Sequence, residues 1–206
     1  MDKVKLTTNK KQGQVGTEVY QLELLVDIDD EHLTGSLGGW VRCEENIKNP
    51  NTNELDGIVL DDAEVGDDAK VYGNAIVKNK VRLLNETIVR DNAIVGGYTI
   101  MHNKSIVEDN VIIEANCVLL RNTHLSNDVH IITDRVFDSK ILTETPNQIT
   151  GSKHNIMLID DRLSIGCVNK PVSYWKEHIR EIGIKHEYTE EQILEYIEYL
   201  NTLVPD

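Results

Sequence analysis

Residues 66–77 read GDDAKVYGNAIV, two copies of one phrase, small-polar-polar-Ala-x-Val, set six residues apart. Stepping by six from Val59 meets Val65, Val71, Val77, Leu83, Val89, Val95, Met101, Val107, Ile113, Leu119, Leu125, Ile131 and Phe137, fourteen apolar residues in succession. With 40% of the chain apolar, chance yields such a run about a few times in a million in a fixed register. Two residues before each of these stand Gly57, Ala63, Ala69, Ala75, Val81, Thr87, Ala93, Thr99, Ser105, Val111, Cys117, Thr123, Val129 and Arg135, all but the last small or β-branched. Side chains two apart share a face of a strand, so each hexad offers one large and one small residue to the same side.

On an α-helix a step of six turns about 240°, which scatters these residues over three directions and leaves no apolar stripe. A single strand of that length is excluded as well. The chain must therefore turn once per hexad. Asp62, Asp68, Asn74, Asn92, Asn110, Asn116, Asn122, Asp128 and Asp134 stand three residues after the apolar position, where nine of thirteen hexads carry Asn or Asp. Both residue types tolerate left-handed backbone and bond their own main chain, so they are the expected corners. Short strand, corner, short strand is a solenoid with a thin core, which suits a chain with a single Phe.

The hexads VGDDAKVYGNAIV and VRDNAIVGGYTIM resemble the hexapeptide repeat of left-handed parallel β-helices. The resemblance implies three hexads per triangular coil, a little over four coils in 59–137, and residues stacked at eighteen-residue spacing. Asn74, Asn92, Asn110 and Asp128 would then share one corner as a ladder. The expected organisation is a mobile basic arm at 1–16, with four lysines, an N-terminal β cap at 17–56, the left-handed β-helix at 57–138, and a C-terminal hairpin and helical pair at 139–206.

Positions just before each inward residue face outward, and many are apolar. One column reads Ile76, Ile94, Ile112, His130; another Lys70, Ile88, Ile106, His124; the third Glu64, Arg82, Ile100, Val118, Val136. An unbroken outward isoleucine column needs a cover. The resemblance implies a homotrimer packed on Ile76, Ile94, Ile112 and His130. For the neighbouring columns two expectations stand, cover by the terminal segments, or a binding surface for another protein that includes Ile88, Ile106, Ile100 and Val118.

In the flanks, GSLGGWV at 35–41 carries a Gly pair leading into a Trp, and NIMLI and LSIGCV around DDR read as a hairpin. Pro171 opens a helix with Val172, Trp175, Ile179 and Ile182 on one face, and TEEQ at 189–192 is a capping box for a second with Ile193, Ile197 and Leu200. Trp175 joins the possible partner surface. GSLGGWV, GSKH at 151–154 and SIGC at 164–167, on both sides of a hexapeptide array, resemble small hexapeptide-repeat proteins of phages and prophages.

The net charge of −14 argues against binding nucleic acid through phosphate neutralisation. It is spread evenly, −5 over 1–58, −4 over 59–137 and −5 over 138–206, as a solubilising surface would be. The cysteines Cys43, Cys117 and Cys167 lack disulfide or zinc spacing, so no metal is expected. No apolar run is long enough to span a membrane and the first residues do not read as a signal peptide, so a cytoplasmic protein without membrane contact is expected. Cys167 with His154 or His178 has no compelling spacing and reads as a buried strand cysteine.

The β-helix resemblance also raises an acyl-CoA-dependent acyltransferase, with a His as general base toward the acceptor and acetyl-CoA or another acyl-CoA as co-substrate. His102, His124 and His130 are the candidates. The expectation is nevertheless a non-catalytic phage-type interaction protein without cofactor, an inhibitor of a host defence protein by occlusion or nucleic-acid mimicry. A protein that sequesters a small signalling ligand is a further alternative.

Overall fold

The computed structural model describes residues 1–205. They form two compact units, Met1–Ile131 with Val136–Thr145, and Ile132–Arg135 with the chain from Pro146 onward.

The first unit is a parallel β-solenoid of about five turns. Ile76–Val77, Ile94–Val95 and Ile112–Ile113 pair in register at eighteen-residue offsets, and the other two faces repeat the pattern. The inward residue of each pair is fully buried, as at Val77, Val95 and Ile113, while its outward neighbour is half-buried. The small-residue series fills the core beside them, with Ala69, Ala75 and Ala93 fully enclosed. Its hydroxyls turn to backbone carbonyls: Thr99 donates to Ala115 (2.9 Å), Ser105 to Leu119 (3.1 Å) and Thr123 to Phe137 (3.1 Å). Thr87 is equally buried, yet its hydroxyl finds no partner among the described residues.

The corners differ from expectation by one residue. The left-handed position is the second after the inward apolar residue: Asp61, Asp67, Asn79, Asn85, Asp91, Asn103, Asp109 and Asn127 have φ between 46° and 63°, and Gly73 and Gly97 take the same place. Of the residues expected there, only Asn122 is left-handed. The side chain at the true corner latches the next coil, since Asp61 accepts from the Asn79 N–H (2.8 Å), Asp67 from that of Asn85 (2.9 Å) and Asp109 from that of Asn127 (2.9 Å). The residues one step later form the ladder. Asn74 Nδ2 donates to Asn92 Oδ1 (3.0 Å), Asn92 to Asn110 (3.0 Å) and Asn110 to Asp128 Oδ1 (2.9 Å).

Residues 4–12, expected within a mobile arm, form strand β1 (Val4–Gln12), antiparallel to β2 (Glu18–Leu24), which pairs with β3 (Leu37–Val41). The lysines that suggested a solvated arm are fixed by facing carboxylates: Lys5 by Glu23 (2.8 Å), Lys10 by Glu18 (3.0 Å) and Lys11 by Glu64 (2.9 Å). Val4 meanwhile packs against the buried Leu22 and Leu24 side of the sheet. Trp40–Val41 continues in parallel onto Glu64–Val65, so the cap and one solenoid face make a single eight-stranded sheet. Glu64 is 1% exposed, held by Lys11 and by the Val15 N–H (3.2 Å). The solenoid also runs past residue 138: Ile141–Leu142 pairs with His124–Leu125 at an offset of seventeen, and the lost residue hides this strand from a count in sixes.

In the second unit Asn147–Ile149, Ile156–Ile159, Arg162–Ile165 and Val168–Pro171 form an antiparallel sheet that extends the expected hairpin by a strand on each side. Helix α1 (Val172–Lys185) starts after Pro171, and α2 (Glu190–Leu203) carries the capping box, in which Thr189 Oγ1 accepts from the Gln192 N–H and Gln192 Oε1 from the Thr189 N–H. Ile156, Leu163, Trp175, Ile179, Tyr196 and Leu200 make its core. Arg135, the one large residue in the small-residue series, is buried and donates to Ser164 Oγ (3.0 Å). Burial, and secondarily the charge of Arg162, lowers its guanidinium below the ordinary arginine value.

Candidate functional site

The three outward columns stand as strict registers. Ile76, Ile94, Ile112 and His130 are consecutive partners on one face; Ile88, Ile106 and His124 on the second; Arg82, Ile100 and Val118 on the third. These isoleucines and Val118 are half-buried, whereas Val136 is 57% and Ile141 70% exposed. In the first coil the outward positions Ile58, Leu60 and Glu64 are buried.

On the second face the outward positions before and after the inward residue form two adjacent columns, which bring His124 onto Glu108 of the coil before it. His124 Nε2 lies 2.7 Å from Glu108 Oε1, and Arg90 on the next coil back donates through Nε to Glu108 Oε2 (2.7 Å) and through Nη2 to the same oxygen. Burial alone would raise the Glu108 carboxyl, but hydrogen bonds and charge from Arg90 and His124 outweigh it and hold the group below the ordinary carboxylate value. Arg90 is raised in turn, chiefly by its bond to Glu108, against burial and with help from Tyr72. The first face repeats the motif: His130 Nε2 lies 2.9 Å from Glu114 Oε2.

Glu108 and Glu114 went unrecognised in the sequence, though their spacing carries a signal. Each precedes its histidine by sixteen residues, one coil of eighteen less the two that separate outward neighbours on a strand. A carboxylate that fixes one imidazole nitrogen leaves the other to act, the ordinary arrangement of a general base, but here Arg90 already neutralises Glu108. His102 is half-buried on the third face with no carboxylate on its ring among the described residues, and its carbonyl accepts from Ser105 Oγ (2.6 Å). The three candidate histidines therefore lie on three faces and do not converge.

Two expectations in the C-terminal unit are corrected. Trp175 is no surface residue: it is 2% exposed, with Nε1 donating to the Leu163 carbonyl (2.8 Å), because the helix face expected to meet a partner meets its own sheet. Cys167 is not a buried strand cysteine but an exposed residue in the turn after Gly166, whose φ of 54° ends the strand. His178 stacks on Tyr174 at 4.2 Å between ring centroids. No helix among the described residues is long and apolar enough to cross a membrane. Comparison with family models, curated proteins and solved structures returns no match.

Proposed function

We propose that the chain is a non-catalytic, phage-type interaction protein that inhibits a bacterial host defence protein in the host cytoplasm. The observation that supports this reading is that all three solenoid faces carry an outward aliphatic column, Ile76 to Ile112, Ile88 to Ile106, and Ile100 to Val118. A homotrimer packed on the first column leaves apolar surface over, and apolar surface on that scale is characteristic of protein partners. The corner carboxylates favour occlusion over imitation of nucleic acid. Asp61, Asp67 and Asp109 are engaged by N–H groups of the following coil instead of standing as a free array.

The Glu108–His124 pair favours a second reading, a hexapeptide-repeat acyltransferase with His124 as base. One experiment separates the two. The tagged protein is used to capture proteins from a bacterial host lysate, alongside Ile88→Glu/Ile106→Glu, and acetyl-CoA is titrated in a thermal-shift assay. Capture of one protein that is lost in the double variant supports the first reading. Stabilisation by acetyl-CoA that is lost in His124→Ala overturns it.

A further inference from the structure

The core of the C-terminal unit encloses a cavity of about 50 Å³, walled by Ile165, Val168, Trp175, Ile179 and Ile193. The exposed lining residues His154, Cys167 and His186 make its rim. The wall is braced. Tyr196, 2% exposed, accepts from the His154 N–H (2.5 Å) and donates to its carbonyl (2.6 Å), while Tyr188 Oη lies 2.7 Å from His154 Nδ1. Burial, the largest cause, pushes the Tyr188 hydroxyl well above its ordinary value, so it stays protonated beside the imidazole. With Nδ1 engaged by Tyr188, Nε2 is the His154 ring nitrogen that has no partner among the described residues.

The cavity lining is free of carboxylates, and the one acidic group that acts on it, Glu195 on Tyr188, stands outside the lining. The sequence has 35 acidic residues against 21 Lys and Arg, yet no Asp or Glu lines the cavity. Lys153 stands beside it, its ammonium 4.5 Å from the Tyr188 ring centre and bonded to the carbonyls of His186 (2.8 Å) and Glu187 (2.9 Å). An apolar interior, a rim of donors and a neighbouring ammonium suit an apolar tail ending in an anion.

We propose that this cavity binds a small carboxylic acid, its aliphatic tail against Val168 and Trp175 and its carboxylate on His154 and Lys153. By this measure a water needs about 10–15 Å³ and benzene fits a space of about 150 Å³, so the interior takes about two carbons and a tail of about three reaches it from the open rim. Each methylene that enters is expected to strengthen binding about fourfold.

The chain has two tryptophans, so Trp40→Phe leaves Trp175 as the sole indole reporter. Acetate, butyrate, hexanoate and butyramide are titrated while its fluorescence is followed, and the affinities are repeated by calorimetry on the unsubstituted chain. Butyrate saturates the signal about fifteenfold more tightly than acetate, and butyramide binds at least about tenfold more weakly than butyrate. Val168→Phe, which fills the cavity, abolishes binding, and His154→Gln weakens butyrate about tenfold without affecting butyramide. Absence of a saturable response, equal binding of butyramide, or binding retained in Val168→Phe overturns the proposal. Should Val168→Phe fail to fold, Cys167→Phe obstructs the exposed rim without entering the core, and butyrate binding that survives it is equally decisive.

Discussion

Lys3 and Asp128 terminate the same row of side-chain amides and set its direction. Lys3 Nζ can only donate and bonds Asn74 Oδ1 (2.9 Å); the Asp128 carboxylate can only accept and takes the last proton from Asn110. Every amide between them must present its oxygen toward the N-terminal coil and its nitrogen toward the C-terminal one. Replacing Asn92 with Leu interrupts the row at its centre, and the expected loss is about 1 kcal/mol. Urea denaturation measures it. An unchanged midpoint would show the row to be passive.

Asp128→Lys tests direction itself. With a donor at both ends the amides cannot all point one way, so one junction must face like to like. The variant should lose more stability than Asp128→Asn, in which the amide still accepts through its oxygen, and the ordering of the two denaturation midpoints is the readout.

His32 places Nδ1 2.8 Å from Asp29 and Nε2 3.2 Å from Asp61, so both nitrogens donate only when the ring is an imidazolium. Burial alone would lower it, but the two carboxylates outweigh burial and raise it above the ordinary 6.5. A raised folded-state value means stability that is fully present below the ordinary value and lost as pH rises through the folded one. The thermal midpoint should therefore fall as pH rises above the ordinary histidine value of 6.5, and His32→Asn should flatten that segment of the profile.

The hydroxyl of Thr87 is buried without a partner, whereas Thr123 has the Leu120 carbonyl (2.6 Å) and the Phe137 carbonyl (3.1 Å). Valine keeps the shape and removes the orphaned group. Thr87→Val should stabilise the fold by about 1 kcal/mol, and Thr123→Val should destabilise it by a similar amount. Chemical denaturation of the pair distinguishes the two positions, and the same sign for both would refute the account.

If the Ile76 column is the self-association face, light scattering at micromolar concentration should give three times the chain mass of 23.3 kDa. Ile94→Glu, which sets a charge at the centre of that column, should return a single chain. A wild-type monomer overturns the trimer.

The hexad count made the core legible because one large and one small residue per six is a demand that only repeated short strands satisfy. It misplaced the corner by one residue because Asn and Asp occupy both positions for different reasons. Asp61 bends the chain and latches the next coil, while Asn74 stacks on Asn92. It missed Ile141–Leu142 because that strand pairs at seventeen residues instead of eighteen. The lysines of β1 looked solvated because their partners, Glu23, Glu18 and Glu64, lie on strands that only tertiary pairing brings alongside. The Glu108–His124 pair is legible only once the coil length of eighteen is combined with the two outward positions of each strand, and the cavity beneath Trp175 belongs to packing between helices and sheet, which no periodicity records.

A stack of parallel coils has no intrinsic length, and an unprotected end is a template on which the next molecule can continue the sheet. Here the eight-stranded sheet stops at β1, which no strand among the described residues pairs on its outer side, and that strand carries Lys5, Lys10 and Lys11 and slips register between Leu6 and Lys10. A charged, irregular border of this kind discourages end-to-end growth at the N-terminal end. On that face the solenoid sheet has an edge built to refuse another strand, so a copy that meets it there is not led to extend the sheet.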